Sequence, residues 1–504
     1  MKNIKYIAII ALGLIACEPE LDNSVEDAGF YSAGTADFST FVSVGNSLTA
    51  GYADGTVYLE GQKYSYPNIL ADRFSHVGGG TFTQPLVSDN IGGLILSGNP
   101  IPGFDTRLVL TGDPLAPANL DEIPTTEVSN ILTGPFNNMS APGAKSFHLL
   151  SDAYGNISGV ETGTANPYFV RMASSSSATM LGDAVAQNPT FFSLWIGNND
   201  ILSFATSGGV GVDQLGNTNP LTHGPNDITD PTLFHGTYDA ILSGLTTNGA
   251  KGVVMNLPSV TSIPFFTYVD HNPVPLDAAT AGFLNSANAY GAYNAGIQGA
   301  FAYLVSVSAI TQADADLEII KRTIIFSESA NNALVIMDES LTDLTGINSD
   351  LVSMRQATPA DLILLTTGPV IGTLAIEGDP TSVIGVSLPL NDSQVLTESE
   401  VTMITNAQTA YNNSISMLAA ANEDVILVDV KAAMEQLSNG GLSSNGVTIT
   451  GVYATGGGFS LDGVHPTARG YAFISNIILK RINEEFNATI PETNTGNYPT
   501  AYID

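Results

Sequence analysis

Four short apolar runs, each stopping at a turn-forming or polar residue, constrain this chain more than anything else in it. They are Phe38 to Val44, before Gly45-Asn46-Ser47; Thr190 to Ile196, before Gly197; Lys251 to Leu257; and Asp424 to Asp429. Each is too short for a stable helix, and most are rich in β-branched and aromatic residues, which reads as buried strand. Between them lie segments with helical spacing: Tyr66 to Phe74, Ala178 to Ala186, Pro231 to Asn248, Ala279 to Leu304, Thr397 to Ala421 and Ala468 to Phe486. Glu398 and Glu400 fall in the first turn of the fifth, where carboxylates suit the helix dipole. Buried strands alternating with helices predict an α/β fold with a parallel sheet covered on both faces. In such sheets chemistry collects at the carboxyl ends of strands. That rule directs attention to the residues after Val44, Ile196, Leu257 and Val428. Residues 78–135 show little periodicity and read as an irregular insertion; 305–395 mixes short apolar runs with acidic connections.

Charge excludes one large class of function. The 504 residues carry 15 Lys+Arg against 48 Asp+Glu, a net charge of −33. Charged residues make up only 12%, about half the usual ~25%, so the acidity reflects missing Lys and Arg. There is no basic footprint to neutralise phosphates, which argues against nucleic acid as a partner. The single cysteine, Cys17, rules out disulfides within the chain and every Cys-cluster metal site. Ahead of it, Lys2 and Lys5 precede an apolar stretch from Tyr6 to Ala16, too short to span a bilayer of ~30 Å. Residues 1–16 therefore read as a secretory signal peptide. Leu14-Ile15-Ala16-Cys17 resembles a bacterial lipobox, which implies that Cys17 is acylated and anchors the protein to a membrane surface. A plain signal peptide with an incidental cysteine, or an N-terminal core helix, is the alternative. Residues 17–37 read as an acidic tether, and the lipobox places the chain in the bacterial cell envelope as an outer-membrane lipoprotein, periplasmic or surface-exposed.

Four short elements carry candidate chemistry. Ser47 follows the first strand directly, and a serine at a strand-to-helix turn is exposed at the sheet edge; alone, Gly45-Asn46-Ser47 is also an ordinary turn. Asp462-Gly463-Val464-His465-Pro466 sets a carboxylate and an imidazole three residues apart, close enough to meet on one tight turn. A helix-entry loop with a surface histidine has the same pattern. Gly197-Asn198-Asn199-Asp200 puts an amide at a strand end, and Ala141-Pro142-Gly143-Ala144 offers a backbone N–H that a ligand can approach closely.

Taken in order, Ser47, Gly143, Asn199 and His465 resemble the four blocks of the SGNH/GDSL hydrolases. Gly45-Asn46-Ser47-Leu48 is similar to the Gly-Asp-Ser-Leu block, Gly197-x-Asn199-Asp200 to Gly-x-Asn-Asp, and Asp462-x-x-His465-Pro466 to Asp-x-x-His-Pro. The blocks are short but bracket residues 38–486. The flanking phrases look most like Bacteroidetes lipoprotein members. The resemblance implies a three-layer αβα sandwich, flavodoxin-like, with a parallel sheet of about five strands and surplus chain near 78–135, 201–230 and 305–395; residues 487–504 form a polar tail. It implies a Ser47–His465–Asp462 triad, with an oxyanion hole from the Ser47 and Gly143 N–H groups and the Asn199 side chain, acting on an ester with no cofactor and no metal. One departure is Asn46, where the family has Asp.

The remaining candidates read as structural. His76, His148, His223, His235 and His271 are scattered, although His148 is placed to line the cleft beyond Gly143. Asp314-Ala315-Asp316-Leu317-Glu318 lacks the glycine of a calcium loop and reads as a solvated loop. Asp200 is expected to shape the loop that aims Asn199, and Trp195 to serve the core. Phe265, Phe266 and Tyr268 suit an acyl wall or a packed loop equally. Two functions stay open: a lipid-anchored ester hydrolase acting on an acyl lipid or an acetylated glycan, and a non-catalytic lipid-anchored binding or assembly protein retaining the fold.

Overall fold

The run Phe41–Gly45 is buried at every position, so it needs neighbours on both edges and both faces. A computed structural model, which describes residues 30–379 and 381–502, supplies them. Strand β1 (Phe41–Gly45) pairs in parallel with β2 (Asn138–Ser140) on one side and β3 (Phe191–Trp195) on the other. Beyond β3 come β4 (Lys251–Met255) and β5 (Val425–Val428), giving a five-stranded parallel sheet in the order 5-4-3-1-2. Chain order reverses between β1 and β3, the crevice where such sheets bind ligands.

Helices cover both faces, completing three layers. The helices labelled here are, in chain order, α1 (Ser47–Ala50), α2 (Tyr66–Ser75), α3 (Asn199–Thr206), α4 (Pro231–Thr246), α5 (Tyr290–Ser306), α6 (Gln312–Arg322), α7 (Glu398–Ala420), α8 (Val430–Asn439) and α9 (Ala468–Phe486), of which α5 and α6 belong to a satellite unit and not to the sandwich. One layer packs α7 on α4 and α3; the other packs α9 on α2. Their ends are set locally. Asp230 accepts from Thr232 and Leu233 at the start of α4, Thr397 and Glu400 form a capping box on α7, and Thr467 caps α9. Phe38, Phe74, Phe191 and Phe486 stack together at the amino end of the sheet, with ring centroids 4.1–5.8 Å apart.

The surplus chain is more ordered than its sequence suggests. A satellite unit with its own buried cluster runs from Val274 to Val395, so it begins well before residue 305. The segment Ala279 to Leu304 is not one helix: Ala278–Leu284 and Tyr290–Ser306 are separated by residues 285–289, and both belong to the satellite. Asp314, Asp316 and Glu318 lie on α6 and not in a loop, because the Thr311 hydroxyl accepts from the Asp314 N–H and starts the helix. Residues 78–135 form two short antiparallel pairs over a third buried cluster that includes Val87, Leu94 and Val128. The stretch after residue 201 begins as α3 before becoming loop. The tail packs along α9, Asn476 exchanging hydrogen bonds with Thr493, and ends against the first insertion, where Leu110 N–H donates to the Tyr502 carbonyl at 3.1 Å. Ser32 and Thr35 are already bonded to Thr489 and Phe486, so the folded body starts ahead of Phe38. Cys17 and the signal segment lie outside the described residues. Among the described residues no helix is long and apolar enough to cross a membrane.

Candidate active site

Strand register brings the site together. Gly45 lies opposite both Ser140 and Trp195, so the residues that follow these three strands share one edge of the sheet. Gly45 permits the close packing: a Cβ there would meet the Thr49 hydroxyl and the Trp195 carbonyl oxygen. Asn46 then caps α1, its side-chain oxygen accepting from the Leu48 N–H at 3.1 Å. Its amide donates to the Asn198 side-chain oxygen at 3.2 Å, a bond that an aspartate in its place could not make. Ser47 is thereby held at the first helical position, 6% exposed.

The other half of the site is the turn Phe459–Pro466, closed by a bridge between its ends and by Ser460 N–H donating to the His465 carbonyl at 2.8 Å. His465 Nε2 lies 2.8 Å from Ser47 Oγ, and its Nδ1 lies 2.9 Å from Asp462 Oδ2. The Asp462 carboxylate accepts four further hydrogen bonds: from the N–H groups of His465, Val464 and Gly55 at 2.8, 2.9 and 3.1 Å, and from the Ser460 hydroxyl at 3.0 Å. Burial alone would raise its carboxyl; the His465 ring and the N–H donors outweigh that and hold it at about 2. Tyr52 lies against the imidazole, ring centroids 4.5 Å apart.

Gly143 and Asn199 complete the edge. Gly143 has φ +81°, a left-handed conformation that favours glycine, and a Cβ there would meet nothing within 4 Å. Among the described residues no protein acceptor takes the N–H of Ser47 or of Gly143. The Asn199 amide donates one proton to the Ala144 carbonyl at 2.9 Å, which ties it to the Gly143 loop and leaves its second N–H for another acceptor. Asp200 secures the same junction by accepting from the Ser146 N–H and hydroxyl at 2.8 and 2.7 Å. Chemically, this is a hydroxyl that can pass its proton to an imidazole whose tautomer a carboxylate fixes, beside unclaimed N–H donors.

Several residues fall elsewhere. His148 is half-buried, stacks on Tyr154 with centroids 4.4 Å apart, and accepts from the Lys145 N–H; desolvation and the Lys145 charge push its ring down to about 3. It is a packing residue. Phe265 and Phe266 sit on the short helix Pro264–Thr267, and Phe265 N–H donates to the Gly463 carbonyl at 3.0 Å, so this is a packed loop bracing the histidine turn. Tyr268 is exposed and pairs with Tyr453. Trp195 is buried as expected of a core residue, yet it also lines the pocket beside Ser47.

Sequence reasoning missed Tyr52, Asp54, Asn198 and Ser460. Asp54 accepts from Leu461 N–H at 3.0 Å and the Tyr58 hydroxyl at 2.8 Å, while its own N–H donates to Ser460 Oγ at 2.9 Å. It thus clamps the turn after α1 to the turn that holds Asp462. No local pattern announces a partner some 400 positions away. Among the described residues, Glu339, Asp392 and Glu400 offer the one acidic trio within 4.8 Å. Glu400 already accepts from Thr397, and burial pushes it and Asp392 up to about 7, so protons can relieve the repulsion there.

Compared with family models, with curated proteins and with solved structures, the chain matches none.

Proposed function

We propose that this protein is a lipid-anchored serine ester hydrolase of SGNH/GDSL type. The observation that carries the reading is the continuous relay from Ser47 Oγ through His465 to Asp462, with both hydrogen bonds under 3 Å, at the crevice where the strand order reverses. In the first step His465 Nε2 takes the Ser47 proton as Oγ bonds to the ester carbonyl carbon. Negative charge collects on the carbonyl oxygen, facing the Ser47 and Gly143 N–H groups and the Asn199 amide. The carbon–alkoxy bond breaks, the alkoxide takes the proton from His465, and the alcohol leaves. Water then bonds to the acyl carbon, its proton passes by way of His465 to Ser47 Oγ, and the acid is released. Asp462 stays ionised throughout and stabilises the imidazolium. Acyl chains on Cys17 would hold the enzyme in the outer membrane; a protein this acidic has no basic patch to do so.

A non-catalytic binding or assembly role does not require a serine hydroxyl aligned on an imidazole with its neighbouring N–H donors free. The test is hydrolysis of p-nitrophenyl acetate by the purified protein and by its Ser47→Ala variant. Turnover that disappears with the hydroxyl supports the enzyme; equal rates in both proteins would sink it.

A further inference from the structure

Beside the relay, the space between the ends of β3 and β4 and the helices α8 and α9 forms a cavity of about 40 Å³ lined by both Ser47 and His465. Its deeper walls are Trp195, Val260, Ile263, Met434 and Ile474, each under 10% exposed. Apart from His465, its polar side chains are Ser47, Asn198, Ser259 and Trp195, whose buried indole N–H has no partner, and no carboxylate, lysine or arginine lines it.

We infer that this cavity receives the acyl half of the ester and restricts it to a short, uncharged chain. The inference rests on the hydrolase reading above and names its substrate class. Three considerations lead there. First, the two halves of an ester need different surroundings. The alcohol must leave, and water must reach the same carbon by the vacated side, so the alcohol side needs an open route. The acyl group stays bonded to Ser47 through both steps and suits an enclosed pocket. Second, the walls carry no lysine or arginine to pair with an ionised group, and burying a carboxylate without a counter-charge is costly, which disfavours a dicarboxylic half-ester. Third, the cavity is small, about 40 Å³, which suits an acyl chain of a few carbons better than a long one. The substrate class is an O-acetyl to O-butyryl ester of an alcohol that lies on the open side of the site.

The test is a ladder of p-nitrophenyl esters from acetate to decanoate, read as kcat/KM for the purified protein, Ile263→Ala and Met434→Ala. The two substitutions lie on separate elements, so one folding failure leaves the other informative. Mass-spectrometric labelling of Ser47 by a small fluorophosphonate is measured alongside. The expected result is an optimum between acetate and butyrate, a fall of at least tenfold by octanoate, and an optimum moved two or more carbons longer in either variant. Rates that rise toward decanoate while Ser47 still labels would overturn the pocket assignment and leave the serine hydrolase standing. A short-chain optimum that neither substitution moves would also overturn it, because the limit then lies elsewhere. Absence of both labelling and Ser47-dependent turnover would overturn the two readings together.

Discussion

The sandwich and the satellite each hold a chain of three interacting polar side chains, and the contrast between them separates a candidate reactive site from a structural cluster. In the satellite, Arg355 donates to Asp338 at 2.6 Å and to both oxygens of Asp361 at 2.7 Å. All three residues are buried, and Asp361 also accepts from Thr358 and from the Glu398 N–H at the start of α7. Burial would raise Asp361 and lower Arg355, but the pairing outweighs it and drives each toward its charged form. That cluster is closed: its cation cannot release a proton at any ordinary pH. In the sandwich the central member is an imidazole, which can both accept and pass on a proton through its two ring nitrogens. Its far nitrogen faces a hydroxyl that opens on a pocket. Burial and satisfied carboxylates are common to both; an exchangeable proton aimed at an accessible oxygen belongs to one.

Substitutions can sharpen or break this contrast. The largest effect is expected from Ser47→Ala, which should lower kcat by about 10⁴-fold or more while leaving the urea midpoint almost unchanged. A large loss of stability would mean that the hydroxyl is part of the scaffold. Arg355→Met should do the reverse. Leaving Asp338 and Asp361 buried without their cation should cost about 3–5 kcal/mol in urea denaturation, with little change in kcat of the protein still folded. Next, Asn199→Ala should reduce kcat about 100-fold, or ~3 kcal/mol of transition-state stabilisation, with KM nearly constant; a change confined to KM would assign Asn199 to binding.

The smallest effect concerns Asp54, whose carboxyl burial pushes up to about 6 against the pull of Leu461 N–H and the Tyr58 hydroxyl. A carboxyl raised in the folded state favours folding below its unfolded value near 4, and that contribution disappears as pH rises through about 6. Asp54→Asn should therefore flatten the stability–pH profile between about 4 and 6 by on the order of 2–3 kcal/mol. Asn also tolerates the left-handed backbone at this position, φ +52°. An unchanged profile would show that Asp54 stays ionised.

Four strands of the sheet were legible because each is largely buried and so reads as a mostly apolar run, broken only by small residues such as Ser43 and Ser193. The fifth, β2, was not: Asn138-Met139-Ser140 is polar, and is held by Asn138 donating to the Thr49 carbonyl and by Ser140 donating to Asn138. The spacing of Asp462 and His465 predicted a meeting on one turn, and they meet. Ser47, Gly143 and Asn199 were found by where strands end, which register converts into proximity. The groups that brace them, Asp54 and Ser460, act across long separations that no periodicity reveals. In the satellite the helical pattern from Ala279 was readable but its interruption at 285–289 was not, and Thr311-x-x-Asp314 is a cap that was passed over. A short cap signal in an acidic stretch decides between loop and helix only when a buried face, here Ala315, is known.

The course of α9 has a consequence for orientation. It begins three residues after His465 and, at 1.5 Å per residue, extends about 28 Å to Phe486, where the chain's first described segment bonds to it through Thr35. The chain's first described residues and the candidate site therefore lie at opposite ends of one helical rod, separated by its whole length.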